Sequence, residues 1–413
     1  MNTKKYDLGI IGAGPAGYTA AFHARKKGLS VVIFEKDEVG GVCLNRGCIP
    51  TKTILHSAEV FQNIKNAEKL GINAENVSID FEKVIARKNS TVEKLRNGLK
   101  LALKNSGVIV IKADAKILDC NKIKANEEIF ECEKIISAVG ASSKELTNLK
   151  FDNEFILSSD DLLNLKKLPK SILIIGSGAI GIEWAQIFSA FNVDVTIVEM
   201  AEQLLPLADI EVSKRIERIF KSKKIKVCLS DSVEKIQDKE IHLKSGTTLS
   251  AEYILLAIGR TPNITNKIDG IKYLGDCCGE IQLAHFAIKQ AISEISNIEF
   301  NKNLVPSVVY GTPEIAWIGK REQDLEPDSY QKSNLLISAL GKSHCDDATE
   351  GFIKILSQNG KIVGTHIVSK EASALIQQIT IAMQNNISVE ELKKTCFAHP
   401  TYSEGIFECL LKL

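Results

Sequence analysis

Twice in this chain a short apolar run stops at the same glycine pattern and then turns into a helical one. Residues 6–11, YDLGII, lead into GAGPAG, where Gly12, Gly14 and Gly17 stand in the spacing G-x-G-x-x-G, and then into YTAAFHARKKG. Residues 171–175, SILII, lead into GSGAIG, where Gly176, Gly178 and Gly181 repeat the spacing, and then into IEWAQIFSAF. A second strand pattern follows each helix, SVVIFEK and DVTIVEM, and its acid, Glu35 or Glu199, stands at an identical offset from the first glycine of its copy. This is the β-α-β unit that binds a dinucleotide. The first glycine permits the tight turn, the second lets backbone approach a pyrophosphate, and the third lets helix and strand pack closely. Free N–H groups at the helix start and the helix dipole hold the phosphates, while Glu35 and Glu199 accept from ribose hydroxyls. A carboxylate at Glu199 repels a 2′-phosphate, so the second copy favours NAD over NADP. One such motif is weak evidence; two in full context are strong.

The copies also close alike. KIISAVGAS (Ala138, Val139, Gly140) and YILLAIGRTPN (Ala257, Ile258, Gly259) are apolar strands ending in A-x-G. The first copy differs by a helical insertion over roughly residues 48–106. A chain of 413 residues is too long for one core, and the fold class expected is α/β, two Rossmann-like doubly wound domains plus a C-terminal domain. With 52 Lys and Arg against 51 Asp and Glu, the net charge of +1 offers no argument for nucleic acid or an anionic membrane. No apolar window is long enough to span a bilayer. The N-terminal lysines and apolar run mimic a signal peptide, but Asp7, the glycine spacing and the lack of a small-residue cleavage site oppose it. Ten scattered cysteines fit a reducing cytoplasm, where any disulfide is a working one.

Two of those cysteines, Cys43 and Cys48, sit in GGVCLNRGCIPTK. C-x4-C is not the usual zinc spacing, and no second Cys or His pair follows at the required distance, so a redox pair is the sharper reading and no metal is expected. Five residues of regular helix rise about 7.5 Å, beyond what a disulfide tolerates. The segment must therefore bend, with Gly47 the place for it. Pro50 marks a helix start whose free N–H groups favour a thiolate. Two dinucleotides in one chain suggest electron relay, with a flavin as the resident because it exchanges electrons with both a nicotinamide and a thiol.

Together with YLGDCCGEIQLAHFA, PSVVYGTPEIAWIG and the terminal FAHPTYSE, these motifs make the chain resemble the pyridine nucleotide-disulfide oxidoreductases from about residue 6 to the end, and within them the members that oxidise dihydrolipoyl groups. The resemblance implies an FAD-binding domain over 1–141 and 265–303, an NAD-binding domain over 142–264 and an α+β dimerisation or interface domain over 304–413. It implies Cys43 as the thiol that meets substrate and Cys48 as the one that faces FAD, with Lys52 by the flavin and paired to Glu183. His399 is then the acid/base and Glu404 its orienting carboxylate, reaching the disulfide of the other subunit of a homodimer. FAD is held by Gly12, Gly14, Gly17, Glu35, Lys52, Ala115, Gly140, Asp276 and Ala284, and NAD by Gly176, Gly178, Gly181, Glu199, Val233 and Gly259. The implied partners are dihydrolipoyl groups on the lipoyl domains of 2-oxo acid dehydrogenase complexes or on the glycine cleavage H-protein. Three departures stand out: Phe397 where relatives often carry His, Ala179 where they carry a larger residue, and a return segment, 264–274, considerably shorter than usual. Another disulfide or mercuric reductase of the family is the alternative, though Glu199 disfavours NADPH and the C-terminus holds the lone Cys409. From another class, a flavin-binding subunit with weakened turnover remains. Cys277 and Cys278 read as buried small residues, His285 as structural, and HCDD at 344–347 as a solvated loop without a metal.

Overall fold

In the computed structural model, which describes residues 4–264 and 266–413, the first apolar run becomes the central strand Lys4–Ile11. It lies parallel between Val31–Glu35 and Glu128–Ser137. Both faces of this sheet are covered, which is why Val31–Glu35 is buried at every position. Leu8, Ile10, Val31 and Ile33 point to one side, against helix Pro15–Lys26 and Ala287 and Ala291 of helix Ala284–Ser296. Val32, Phe34, Ile123 and Phe130 point to the other. Ile109–Lys112 forms one edge, and the antiparallel strands Lys122–Ala125 and Lys116–Asp119 extend the other.

The second copy repeats the arrangement. Lys226–Cys228, Asp194–Val198, Ser171–Ile175, Tyr253–Leu256 and Ile156–Leu157 form a five-stranded parallel sheet in that order. Helices Ala179–Ala190 and Ile210–Ser222 cover one face, and a small antiparallel sheet, Val233–Gln237, Glu240–Leu243 and Thr248–Ser250, covers the other. The two copies are joined by a ribbon in which Ala141–Ser143 pairs with Arg260–Pro262. From that ribbon the short return segment re-enters the first sheet as Lys272–Tyr273, parallel to Ile136 and Ser137.

The third unit is an antiparallel sheet of Ser307–Val309, Glu314–Gly319, Lys361–Ser369, Phe352–Gln358 and Gln331–Leu336, packed against helices Ala372–Gln384 and Glu404–Leu411. The architecture is thus the α/β class expected, two Rossmann-like units and an α+β third. A buried charge cluster joins the second unit to the third. The Lys354 side chain, 1% exposed, lies 2.9 Å from Asp209 Oδ1 and also pairs with Glu322, while Asp209 caps helix Ile210–Ser222 by accepting from Glu211 N. Burial pushes the Glu322 carboxyl up, but hydrogen bonds from Lys332, Lys354 and Tyr330 outweigh it and hold the group down at about 2.

The inserted helices of the first copy decide where the site forms. Cys48–Lys65 buries Ile54, Leu55 and Ala58 in the same core as Ile182 and Ala185 of the second glycine helix. That packing brings Lys52, one turn on from Cys48, to Glu183 of the second glycine helix. Phe81–Asn105, capped by Asp80 accepting from Lys83 N, completes the insertion.

Candidate active site

The two glycine loops are built as duplicates down to single hydrogen bonds. Gly12 N donates to Phe34 O at 2.8 Å and Gly176 N to Val198 O at 2.9 Å. Both glycines have left-handed φ, +97° and +100°, and a Cβ on either would collide with the carbonyl of Ala138 or Ala257, the first residue of each A-x-G. Cβ atoms on Gly17 and Gly181 would strike the carbonyls of Gly12 and Gly176. The acids have a role that their motif position does not disclose. Glu35 Oε2 accepts from Ala13 N and Oε1 from Asp37 N, at 2.7 and 2.8 Å. Glu199 does the same with Ser177 N and Ala201 N, also at 2.7 and 2.8 Å. Each carboxylate therefore fastens the glycine loop to the second strand.

The middle glycines begin helices that lack any side-chain cap, leaving first-turn N–H groups free for an anion. A Cβ on Gly178 would meet nothing within 4 Å, so the space beside that helix start is open to a phosphate. Gly14 is closer to protein: a Cβ on Gly41 would lie 2.7 Å from its Cα, and Gly40 N donates to Ala13 O at 2.8 Å. The thiol-bearing segment is thus laid directly on the first loop.

The other nucleotide candidates surround these loops to different degrees. The one-turn helix Gly275–Cys278 carries Asp276, and Gly275 sits so near the glycine helix that a Cβ on it would be 3.3 Å from Ala16 Cβ. Burial pushes the Asp276 carboxyl up, with Arg260 opposing. Ala284 opens its helix without a side-chain cap, and Gly140, at φ +70°, accepts from Asn263 N through its carbonyl. Gly259, at φ +107°, accepts from Lys144 N. Ala115 packs into the lower face of the first sheet and Val233 into the small antiparallel sheet's core, so either could offer only backbone.

Around the thiols, helix Gly41–Arg46 stops, Gly47 takes φ −132° and ψ −109°, and a new helix starts at Cys48. The bend expected at Gly47 is there. Cys48, the first residue of that helix, has its thiol lowered to about 7 by the hydrogen bond from Cys43 and by the Lys52 ammonium, against burial and the Glu183 charge. Cys43 shifts up through the same hydrogen bond, burial and the charge on Cys48. Lys52 Nζ lies 2.7 Å from both carboxylate oxygens of Glu183. Sequence reasoning missed Tyr310, in PSVVYGTPEIAWIG: its ring lies 4.6 Å from Lys52 Nζ, and its N–H donates to Glu183 Oε1 at 3.1 Å. No periodicity or spacing marks that residue, since third-unit backbone brings it in.

Residues 6–273 match the family model described as pyridine nucleotide-disulphide oxidoreductase, and 305–409 match that family's dimerisation domain. The chain belongs to the pyridine nucleotide-disulphide oxidoreductases. It is similar to the dihydrolipoyl dehydrogenases of Bacillus subtilis, at 33% identity with 98% of each chain covered, and of Mycoplasma pneumoniae, at 31% with 98% of each covered. Among solved structures it resembles LpdA of Mycobacterium tuberculosis, with TM-score 0.91, 24% identity and 99% of each chain covered. It also resembles the HOCl-induced flavoprotein disulfide reductase RclA of Escherichia coli, with TM-score 0.86, 26% identity and 100% and 99% covered. The alignments to the curated relatives run over 447 and 449 residues, longer than this chain of 413. These relatives therefore contain residues that this member of the family lacks, in keeping with its short return segment.

His399 and Glu404 lie in the matched dimerisation domain. His399 Nδ1 is 2.7 Å from Glu404 Oε1, and Glu404 Oε2 accepts from Thr401 N at 2.8 Å. A carboxylate only accepts, so Nδ1 carries the proton and Nε2 is left to take one. Thr401 N–H and then His399 hold the Glu404 carboxyl below its usual range. The His399 side chain is 77% exposed, and among the described residues no hydrogen bond or ion pair joins it to Cys43 or Cys48 of its own chain. Phe397 stacks on Phe407, centroids 5.2 Å apart, so the departure from His is absorbed by packing. His285 Nε2 donates to Pro306 O at 2.8 Å, as a structural histidine should. HCDD is not the loop expected: His344 and Cys345 belong to helix Gly341–Cys345, tied down by Ser343 Oγ to Ile337 O and Leu340 O. Among the described residues no His, Cys, Asp or Glu group could hold a metal, and no helix is long and apolar enough to cross a membrane.

Proposed function

We propose that this chain is an FAD-dependent dihydrolipoyl dehydrogenase that oxidises dihydrolipoyl groups through Cys43 and Cys48 and delivers the electrons to NAD⁺. The observation that carries the reading is the placement of the thiol pair: helix Gly41–Arg46, which bears Cys43, is laid on the first glycine loop, and Cys48 starts the next helix one turn from Lys52, which pairs with Glu183 of the second glycine helix. The full-length likeness to dihydrolipoyl dehydrogenases supports the substrate, and Glu199 supports NAD⁺ over NADP⁺.

The residues assign themselves to two nucleotide sites. Gly12, Gly14 and Gly17, with the loop fastened by Glu35, fit the FAD pyrophosphate, and Asp276 is held beside that loop for the ribityl chain. Gly176, Gly178 and Gly181, with Glu199, fit NAD. Bound FAD supplies a two-electron carrier between a dithiol and a nicotinamide. In the oxidised chain Cys43 and Cys48 are a disulfide. A dihydrolipoyl thiol gives its proton to Nε2 of His399 of the partner subunit, whose Nδ1–H stays on Glu404. The substrate thiolate attacks the Cys43 sulfur, breaking the Cys43–Cys48 bond and releasing Cys48 as thiolate, which Lys52 favours. The second substrate thiol then attacks the substrate sulfur of the mixed disulfide, its proton passing to the departing Cys43, which leaves oxidised lipoyl, the Cys43 thiol and the Cys48 thiolate. His399 is exposed and, among the described residues, makes no hydrogen bond to its own chain's thiols, and in this reading each site takes its base from the other subunit of a homodimer.

We divide the chain accordingly, with 1–141 and 265–303 around FAD, 142–264 around NAD and 304–413 at the dimer interface. Lipoyl domains of 2-oxo acid dehydrogenase complexes or the glycine cleavage H-protein are the partners, and the cytoplasm is the compartment. Purified FAD-loaded dimer should form NADH from dihydrolipoamide and NAD⁺ and should turn over NADPH with glutathione disulfide far more slowly. The reverse preference would replace this reading with another reductase of the family.

A further inference from the structure

The side chain of His399 is 77% exposed, so its placement comes from the loop that carries it rather than from packing around the ring. Inside that loop Thr401 N donates to Glu404 Oε2 and Thr401 Oγ1 to Ala398 O, both at 2.8 Å. These bonds shape the loop but do not fasten it to the rest of its unit. Among the described residues two side-chain hydrogen bonds do. Gln378 Nε2, on helix Ala372–Gln384, donates to Ser403 Oγ at 2.8 Å. Tyr402 is the buried tether: the residue is 1% exposed, its ring lies in the core that holds Ile337, Leu340 and Ile406, and its hydroxyl donates to Asp346 Oδ2 at 3.3 Å. Asp346 is the first aspartate of HCDD, the motif left without a task, and it is held from two further sides. Its Oδ1 accepts from Lys342 Nζ at 2.8 Å, on helix Gly341–Cys345, and its Oδ2 from Lys370 Nζ at 3.1 Å, in the turn between strand Lys361–Ser369 and helix Ala372–Gln384. One carboxylate thus joins a helix, a turn and the loop of His399.

We infer that Asp346 is a positioning residue for the base: through the Tyr402 hydroxyl it fixes loop 398–404, so that His399 Nε2 stands where a substrate thiol in the partner's site can give up its proton. A base works only within hydrogen-bond reach of that proton, and a misplacement of about 1 Å can cost up to about a hundredfold in rate. Tyr402 stays a donor throughout the working range, because burial and the Asp346 charge hold its hydroxyl above the usual tyrosine range. Asp346 stays an acceptor, because the hydrogen bonds from Lys342 and Lys370 outweigh its burial and hold its carboxyl below the usual range. The role rests on the reading of His399 as the base.

The test compares FAD-loaded dimers of Tyr402→Phe, Asp346→Ala, Asp346→Asn and His399→Ala in two rapid-mixing reactions: reduction by dihydrolipoamide, which needs the base, and reduction of the flavin by NADH, which does not. Tyr402→Phe, which keeps its ring in the core, and Asp346→Ala should each slow the first about fivefold at saturating dihydrolipoamide, with half-saturation and the NADH reaction unchanged. The double variant should be no slower than either, since both remove one bond. Asp346→Asn keeps an acceptor for Tyr402 and loses only the charge facing the two lysines, so it should stay within about twofold of wild type. A role confined to stability would leave the saturating rates alone and make Asn and Ala alike. Wild-type rates in Tyr402→Phe, additive losses in the double variant, or Asp346→Asn as slow as Asp346→Ala would overturn the inference while His399→Ala is slow. Wild-type reduction of His399→Ala by dihydrolipoamide would instead overturn the reading of His399 itself, and the inference with it.

Discussion

Lys52 and Glu183 set the Cys48 thiolate in opposite directions, and removing them one at a time should show it. Lys52 and Cys48 stand i,i+4 on helix Cys48–Lys65, which puts their side chains about 6 Å apart. At an effective dielectric near 20, a unit charge at about 6 Å is worth about 2.8 kcal/mol to a thiolate, or about a hundredfold in the thiol–thiolate equilibrium. Glu183, 2.7 Å from the ammonium, cancels much of this, and Lys52 is 30% exposed. Lys52→Met should therefore raise the Cys48 midpoint above its value of about 7 by about tenfold in the equilibrium. Glu183→Gln should lower it, and the double variant should return close to the wild type. Lys52→Met also leaves Glu183, 8% exposed, without its cation, at a cost of about 3 kcal/mol. The double variant, which buries no lone charge, should recover most of that stability and so separates folding from electrostatics. The assay is ultraviolet thiolate absorbance against pH, taken as the difference from Cys48→Ser. A midpoint that stays or falls in Lys52→Met, or rises in Glu183→Gln, would refute the argument.

The second glycine loop should respond to alanine position by position. Gly181→Ala drives a Cβ into Gly176 O and should destabilise the NAD-side unit by about 3 kcal/mol in denaturant titration, whereas Gly178→Ala, with open space at its Cβ, should fold normally and weaken NAD⁺ binding without loss of FAD. The buried Lys354 cluster should make the chain acid-sensitive. Glu322 sits at about 2 folded against 4.5 normally, so below pH 4.5 the unfolded chain binds a proton that the folded one does not until pH nears 2. The stability it adds is full above that window and lost within it. Glu322→Gln should thus cost about 2–3 kcal/mol at neutral pH and almost nothing at the acid end, as read from unfolding at both pH values.

Much of this was legible in the sequence because its signals are local. Glycine spacing, strand runs and their terminal acids are set within a few tens of residues, and the loops at Gly12 and Gly176 match nearly bond for bond. The break at Gly47 followed from helix rise alone. What spacing could not show depends on tertiary contact. Glu35 and Glu199 clamp their own loops, Tyr310 arrives over Lys52 from a unit more than two hundred residues away in sequence, and Lys354 finds Asp209 across a domain boundary. HCDD misled because its helix is fixed by Ser343 bonding to carbonyls upstream of the motif, a contact that no composition rule discloses.

The central claim is that one subunit's thiols work with the other's His399, and co-expression of two dead variants tests it most directly. Dimers of Cys43→Ser alone and of His399→Ala alone should form almost no NADH from dihydrolipoamide. In a mixed dimer, one site combines the intact thiols of the His399→Ala chain with the intact His399 of the Cys43→Ser chain. With random two-fold pairing, about half the dimers are mixed and each has one working site, so activity should recover to about one quarter of wild type. Mixed dimers, shown by differential tagging to be present, that stay as inactive as their parents would contradict the account.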